Sequence, residues 1–147
     1  LPANLLSQNW MGTDMTTDDL VKLSKLTLDY EAKLSGSAQV SGRDCYVITL
    51  IPKPEADVLW GKLVLWIDKI DFIQLKTTFY DEDLDLVNTV IGGDIKNLGG
   101  KMLASKLTMI PAGKVGQSTV ITYKTMKFDT PIDYSFFAKS NMPKVKP

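Results

Sequence analysis

Short runs with a two-residue hydrophobic period, separated by tight turn signals, recur about seven times along this chain. In the first run Tyr30, Ala32 and Leu34 alternate with polar neighbours, as one face of a half-buried strand does. Gly36 indicates a bulge in that strand, and Gly99-Gly100 is a two-residue hairpin signal. The pattern predicts a mainly β fold with minor α, built as one antiparallel meander. The predicted strands cover residues 30–40, 45–51, 62–68, 72–80, 86 to about 98, 101–109 and 118–128.

The predicted strand over residues 62–68 is apolar on both faces. Leu63, Leu65 and Ile67 point to one side, and Val64 and Trp66 point to the other. A sheet with such a strand must cover both faces, so it must close as a barrel, stack as a sandwich, or curl around a helix or a ligand.

Two short helical segments accompany the predicted strands. Thr16 or Thr17 can cap a helix of about two turns, because acidic residues follow in the first turn and Leu20 begins an apolar edge. A helical turn is predicted near the other end of the chain, over Asp133 to Phe137.

Length and charge narrow the classes of function. The chain has 147 residues, of which 44% are hydrophobic, and its formal net charge is zero, so one domain over residues 1–147 with a real core is expected. Balanced charge predicts no nucleic-acid partner and gives no reason to propose an anionic surface as one. The start of the chain lacks both an initiating Met and the features of a signal peptide, so we expect a processed or excised chain.

The residues that usually carry chemistry are scarce. The chain contains no histidine, which removes histidine-dependent triads and most zinc sites, and Cys45 has no second cysteine to pair with. Residues 81–85 have the D-x-D-x-D spacing that opens a calcium loop, but Leu86 and Gly92 stand where that loop needs Gly and Glu. Gly92-Gly93 lacks the spacing of a phosphate loop and indicates a bulge. We therefore predict no catalytic residues, no metal and no cofactor.

Several segments in order resemble one bacterial family. The matching segments are residues 10–14, 18–20, 42–48 with 50, 52 and 53, 60–62, 66–68, 79–81, 99–101 and 128–129 with 131. On these segments the chain resembles the outer-membrane lipoprotein-sorting proteins of the LolA-like superfamily. It departs from the family at Leu84, where a Gly is usual, and near Ala104, where a Pro is common.

The resemblance implies a fold, a location and a function. It implies an antiparallel sheet curled into an incomplete barrel, with helices in its concave face. It also implies that this chain is the C-terminal portion of a longer periplasmic protein. The expected function is non-enzymatic: binding lipid and carrying or sorting lipid-modified cargo to the outer membrane. The expected partners are the acyl chains of lipids or lipoproteins, with an inner-membrane transporter or an outer-membrane acceptor protein. A homodimer through an exposed sheet edge is a further expectation.

The alternation provides a candidate lining for the lipid. The methionines at 102, 109 and 126 suit a deformable apolar surface, although plain core filling explains them as well. The opposite face of the central strand, with Val64 and Trp66, is an alternative lining, and a closed core without a ligand is another. Two other functions stay open. One is an envelope sensor or adaptor that binds a partner protein or an RND-type transporter through an apolar face or sheet edge, and the other is an enzyme. The candidate lining residues are Leu63, Leu65, Ile67, Ile73, Leu75, Phe79, Leu103 and Leu107.

Overall fold

A computed structural model describes residues 8, 26–138 and 140–141 and shows one seven-stranded antiparallel sheet in the sequential order β1 to β7. The predicted meander is confirmed. The predicted helix that starts at Thr16 or Thr17 lies outside the described residues, as does the Trp10 segment of the family signature. The elements are α1 (Leu26–Asp29), β1 (Tyr30–Val40), β2 (Arg43–Pro52), β3 (Lys62–Asp68), β4 (Gln74–Tyr80), β5 (Leu86–Leu98), β6 (Lys101–Pro111), β7 (Thr119–Thr122) and a 3-10 helix (Tyr134–Phe137).

The turns follow the sequence signals closely. The pairing of β1 with β2 shifts by one residue between Leu34 and Gly36, which confirms the predicted bulge. Asp133 caps the 3-10 helix by accepting a hydrogen bond from the Ser135 backbone at 2.7 Å, and this confirms the predicted helical turn. Leu84 lies at φ 65, a left-handed conformation in which Gly would be unstrained.

One face of β3 lies in the main hydrophobic cluster. Leu63 pairs with Leu50 on β2 and with Phe79 on β4, so these three side chains share a face of the sheet. Trp60 covers them from the β2–β3 loop: its ring meets the Phe79 ring edge-on at 5.3 Å, and its carbonyl accepts a hydrogen bond from the Tyr30 hydroxyl. We call this the inner cluster; its buried members are Tyr30, Leu50, Trp60, Leu63, Leu65 and Phe79, and Leu26 of α1 packs against it.

A second cluster covers part of the opposite face of β3. Its buried members are Cys45, Ile73 and Leu75, with Trp66 packed against them half-buried. Ile73 and Leu75 therefore lie in a different cluster from Phe79, although the three residues have the same parity along the sequence. The pairing of β3 with β4 shifts by one residue at this point, because Trp66 pairs with Lys76 and Ile67 with Gln74. A one-residue bulge moves the residues beyond it to the other face of the sheet.

The hairpin of β5 and β6 keeps one register from Asn88 to Leu98, so the bulge predicted at Gly92-Gly93 is wrong. The irregularity is instead at Asp94, which has a φ of 50. Gly92 allows a close contact with Ala104, since a Cβ at Gly92 would lie 2.9 Å from the Cβ of Ala104. The absence of a side chain at Gly92 therefore allows Ala104 to pack closely against it.

The last strand is much shorter than the predicted residues 118–128. β7 pairs with β6 only over Thr119 to Thr122, and one further backbone bond joins Tyr123 to Ser105. The chain then leaves the sheet and passes close to the β5–β6 turn, where the carbonyl oxygen of Met126 occupies the space that a side chain at Gly99 would need. This departure brings the segment after β7 against the hairpin of β5 and β6.

Candidate functional site

An apolar cavity of about 560 Å³ lies beside β4, β5 and β6, between the β3–β4 turn and the segment that follows β7. This volume falls within the range of small-molecule sites, roughly 300–1,000 Å³. Most of the wall is apolar. The apolar lining residues are Phe72, Ile73, Leu75, Phe79, Val90, Gly92, Met102, Leu103, Ala104, Leu107, Met109 and Met126.

Burial distinguishes the floor of the cavity from its mouth. Phe79 and Met109 are buried and form the floor, whereas Phe72, Lys101 and Met102 are exposed and mark the opening. The cavity therefore opens at the end of the sheet that carries the β3–β4 and β5–β6 turns.

The polar groups of the lining are mostly bonded to the protein itself. Gln74 donates a hydrogen bond to the Thr77 hydroxyl at 2.6 Å. Asp71 accepts one from Arg43 at 2.9 Å. The Lys101 ammonium lies 4.4 Å from the centroid of the Phe128 ring at the mouth. Such a wall favours an apolar ligand, with a cation beside the opening for a polar or anionic end.

Only part of the predicted lining surrounds the cavity. Ile73, Leu75, Phe79, Leu103 and Leu107 line it, on both sides of the bulge in β4. Leu63, Leu65 and Ile67 do not; Leu63 is only 2% exposed and belongs to the inner cluster. For the central strand the structure thus corresponds to the closed-core alternative.

All three methionines at positions 102, 109 and 126 line the cavity, although only the first two lie on a strand. Their flexible side chains were a better signal for the site than the central apolar strand. Phe72, Val90, Ala104 and Tyr123 also line it and were absent from the predicted set. Phe72 follows a tight turn and Tyr123 follows β7, so strand alternation could not have identified either residue.

The β3–β4 turn at the mouth is held by a buried carboxylate. Asp68 is 1% exposed, and its Oδ2 accepts hydrogen bonds from the Asp71 backbone at 2.7 Å and from Arg43 at 2.9 Å. Arg43 also bonds Asp71, and that bond raises the pKa of the guanidinium. The three charged side chains form one structural network, which fixes the shape of the turn.

The described residues contain little that could carry a reaction. No group of three or more acidic or cysteine side chains among them could hold a metal ion. Burial, together with the charge of nearby Asp68, raises the pKa of the Cys45 thiol, which disfavours the reactive thiolate. Within the described ranges no helix is both long enough and apolar enough to cross a membrane.

Comparison with known proteins places the fold. A family model whose description reads "-like: Uncharacterized protein" matches residues 1–144. No curated protein matches the chain. Among solved structures, a DUF1329 family protein from Desulfovibrio piger has a TM-score of 0.83 at 22% identity, a likeness that concerns the fold alone.

Two further solved structures are similar to this chain. A LolA superfamily protein from Nitrosomonas europaea has a TM-score of 0.75 at 26% identity. An outer membrane lipoprotein-sorting protein domain from Vibrio parahaemolyticus has a TM-score of 0.76 at 25% identity. Each of the three comparisons covers 92% of this chain but only 56%, 60% and 57% of the other chain, in the order given. The resemblance to the LolA-like superfamily and its curled antiparallel sheet is thereby confirmed.

Proposed function

The chain belongs to the family whose model matches residues 1–144. From the cavity and from the LolA-like fold we propose that it binds an acyl chain without catalysing a reaction. The observation that carries the proposal is the cavity itself. It is apolar, open at one end, and large enough for a single saturated chain. Of the lining that the sequence predicts, the proposed site keeps Ile73, Leu75, Phe79, Leu103 and Leu107 and leaves out the three residues of β3.

Burial of an acyl chain supplies enough free energy for this role. Each methylene removed from water contributes about 0.8 kcal/mol, so a chain of about sixteen carbons gains on the order of 12 kcal/mol before ordering costs. A carrier must also release its cargo. A wall that includes Met102, Met109 and Met126 can adapt to a chain without holding it in one rigid geometry.

The proposed cargo is a lipid or a lipid-modified protein of the bacterial envelope. The similarity to a lipoprotein-sorting protein domain supports this choice, as does the shared LolA-like fold. We propose a periplasmic location, delivery to the outer membrane, and an inner-membrane transporter and an outer-membrane acceptor as donor and recipient of the cargo.

The test is solution binding of a fluorescent fatty acid to the chain and to matched leucine variants. Leu107 lines the cavity and is only half-buried, so Leu107→Gln should keep the fold and weaken binding at least tenfold. Leu34 on β1 is 62% exposed and lies outside the cavity, so Leu34→Gln is the control and should bind as the wild type does.

Native mass spectrometry of protein purified from bacterial envelopes provides an independent readout of the same proposal. An acyl ligand should co-purify with the wild type and be depleted from Leu107→Gln. Absence of any bound acyl chain, together with no fatty-acid binding by the wild type in solution, would exclude the carrier function. Binding of a transporter by that ligand-free protein would favour the sensor or adaptor function instead.

A further inference from the structure

Two exposed apolar residues lie two positions apart on the β3–β4 turn, at the mouth of the cavity, with Asp71 between them. Ile70 is 81% exposed and Phe72 is 70% exposed. Single exposed apolar residues are ordinary, but Phe72 lies at φ 55, in the left-handed region that a bulky aromatic residue rarely adopts. The chain thus holds an aromatic ring in water at the expense of local backbone strain.

The exposure of this pair does not arise from a loose loop. The Asp68 carboxylate binds the turn from below through the Asp71 backbone, and the Phe72 backbone N–H donates to the Asp68 carbonyl at 3.1 Å. The Lys69 backbone N–H donates to the Asp44 carbonyl at 2.9 Å, which ties the turn to β2. The turn therefore presents Ile70 and Phe72 in a fixed geometry.

The two ends of the sheet differ in charge. Consecutive turns of an antiparallel meander lie at opposite ends, so the β3–β4 turn shares its end with the β5–β6 turn. That end carries Arg43, Lys69, Lys101 and the exposed Met102. It also carries Asp44, Asp68 and Asp71, and Arg43 pairs with the last two carboxylates at 2.9 Å each. The opposite end carries most of the acidic turn residues, namely Glu55, Asp57, Asp81, Glu82, Asp83 and Asp85. An anionic surface would repel the second end more strongly than the first.

We propose that the β3–β4 turn docks the protein on a lipid bilayer by inserting Ile70 and Phe72 into the headgroup region. Docking in this orientation presents the mouth of the cavity to the membrane. Only this purpose of the docking rests on the proposed acyl-chain function. Aromatic and aliphatic side chains on a rigid turn suit the bilayer interface. Lys69 precedes Ile70, and the Asp71 carboxylate between the two apolar residues is paired with Arg43. Two inserted side chains give a weak and reversible contact, as a protein that leaves with its cargo requires.

The test is flotation with vesicles of phosphatidylglycerol and phosphatidylethanolamine in equal parts. Ile70 does not line the cavity, so Ile70→Ser is the decisive variant, and it should lower vesicle partitioning roughly tenfold. The matched control is Val115→Ser, because Val115 is fully exposed on the β6–β7 loop at the acidic end. The control should partition as the wild type does. A Phe72→Trp variant should show tryptophan quenching by brominated lipids in the same vesicles.

Three results would overturn the proposal: no vesicle binding by the wild type, equal loss in Val115→Ser and Ile70→Ser, or no quenching of the tryptophan in Phe72→Trp. A turn that binds a partner protein instead would give the first of these results. Fatty-acid binding measured without vesicles separates this proposal from the function on which it rests. Ile70→Ser should retain that binding fully, and a wild type that binds vesicles but no fatty acid would refute only the carrier function.

Discussion

The length of the bound acyl chain should set the affinity in a way that the cavity volume predicts. Taking roughly 30 Å³ of liquid volume for each group about the size of a water molecule, a cavity of about 560 Å³ holds on the order of eighteen methylene-sized groups. Each buried methylene contributes about 0.8 kcal/mol, which is a factor of about four in the dissociation constant. Because the mouth leaves part of the chain in water, we expect a factor of about two to four for each added carbon.

The assay is displacement of a fluorescent fatty acid by saturated fatty acids from about eight to about twenty-two carbons long, below their critical micelle concentrations. The logarithm of the affinity should rise linearly with chain length and level off near about eighteen carbons, where the cavity is full. Beyond that length each extra methylene stays in water and adds little.

A dicarboxylic acid of the optimal length is the matched control ligand. It has the same carbon chain but would place a carboxylate at the apolar floor formed by Phe79 and Met109. The two cations of the lining are Lys101, which is exposed at the mouth, and Lys76, whose ammonium lies 4.5 Å from the centroid of the Trp66 ring. The affinity of the dicarboxylic acid should fall at least a hundredfold, because an unpaired charge is costly to bury. A flat dependence on chain length, or equal binding of the dicarboxylic acid, would mean that the fatty acids bind outside the cavity.

Three further predictions concern the stability of the elements that form the site, each measured by urea unfolding. Asp68→Ala should destabilise the fold by about 2–3 kcal/mol, because it removes charge-assisted hydrogen bonds to a buried carboxylate; a loss below about 0.5 kcal/mol would contradict this role. Gly61→Ala should cost about 1–3 kcal/mol, since its Cβ would overlap the Asp81 carbonyl oxygen, whereas Gly93→Ala, with no atom within 4 Å, should be nearly neutral. Phe72→Asn should stabilise the protein by about 1 kcal/mol by relieving the left-handed strain at an exposed position, and a destabilised variant would show that the aromatic ring supports the fold.

The sequence predicted the strands well because a period of two is a local property. Residues 62–68 were predicted without error, and β1 has the predicted bulge beside Gly36. Alternation along the sequence did not predict which residues pack together where the pairing of two strands shifts. Leu75 and Phe79 have the same parity along β4, yet the bulge opposite Trp66 divides them between two clusters. Sequence parity alone cannot reveal such a bulge, because the bulge depends on how two strands pair.

The cavity could not be predicted from local sequence patterns, for a related reason. Its walls combine β4, the β5–β6 hairpin and the segment that follows the early end of β7. Neither the end of β7 at Thr122 nor the left-handed conformation of Asp94 leaves a periodic signal. The methionines were the useful exception, since side-chain chemistry, rather than alternation, marked Met102, Met109 and Met126 as suited to an adaptable wall.

The part of the sheet around β3 and the part around β5 and β6 differ in how their faces are covered. This difference explains why the apolar residues of β3 do not predict the position of the cavity. Around β3 both faces are occupied by the protein: Trp60 and Phe79 complete one side, and Cys45 and Leu75 pack near Trp66 on the other. Around β5 and β6 the curl of the sheet leaves space that side chains only line. A closed half gives the open half a rigid support, because close-packed interiors transmit strain and resist deformation. The cavity can therefore be adaptable at its methionine wall without loosening the fold that holds it.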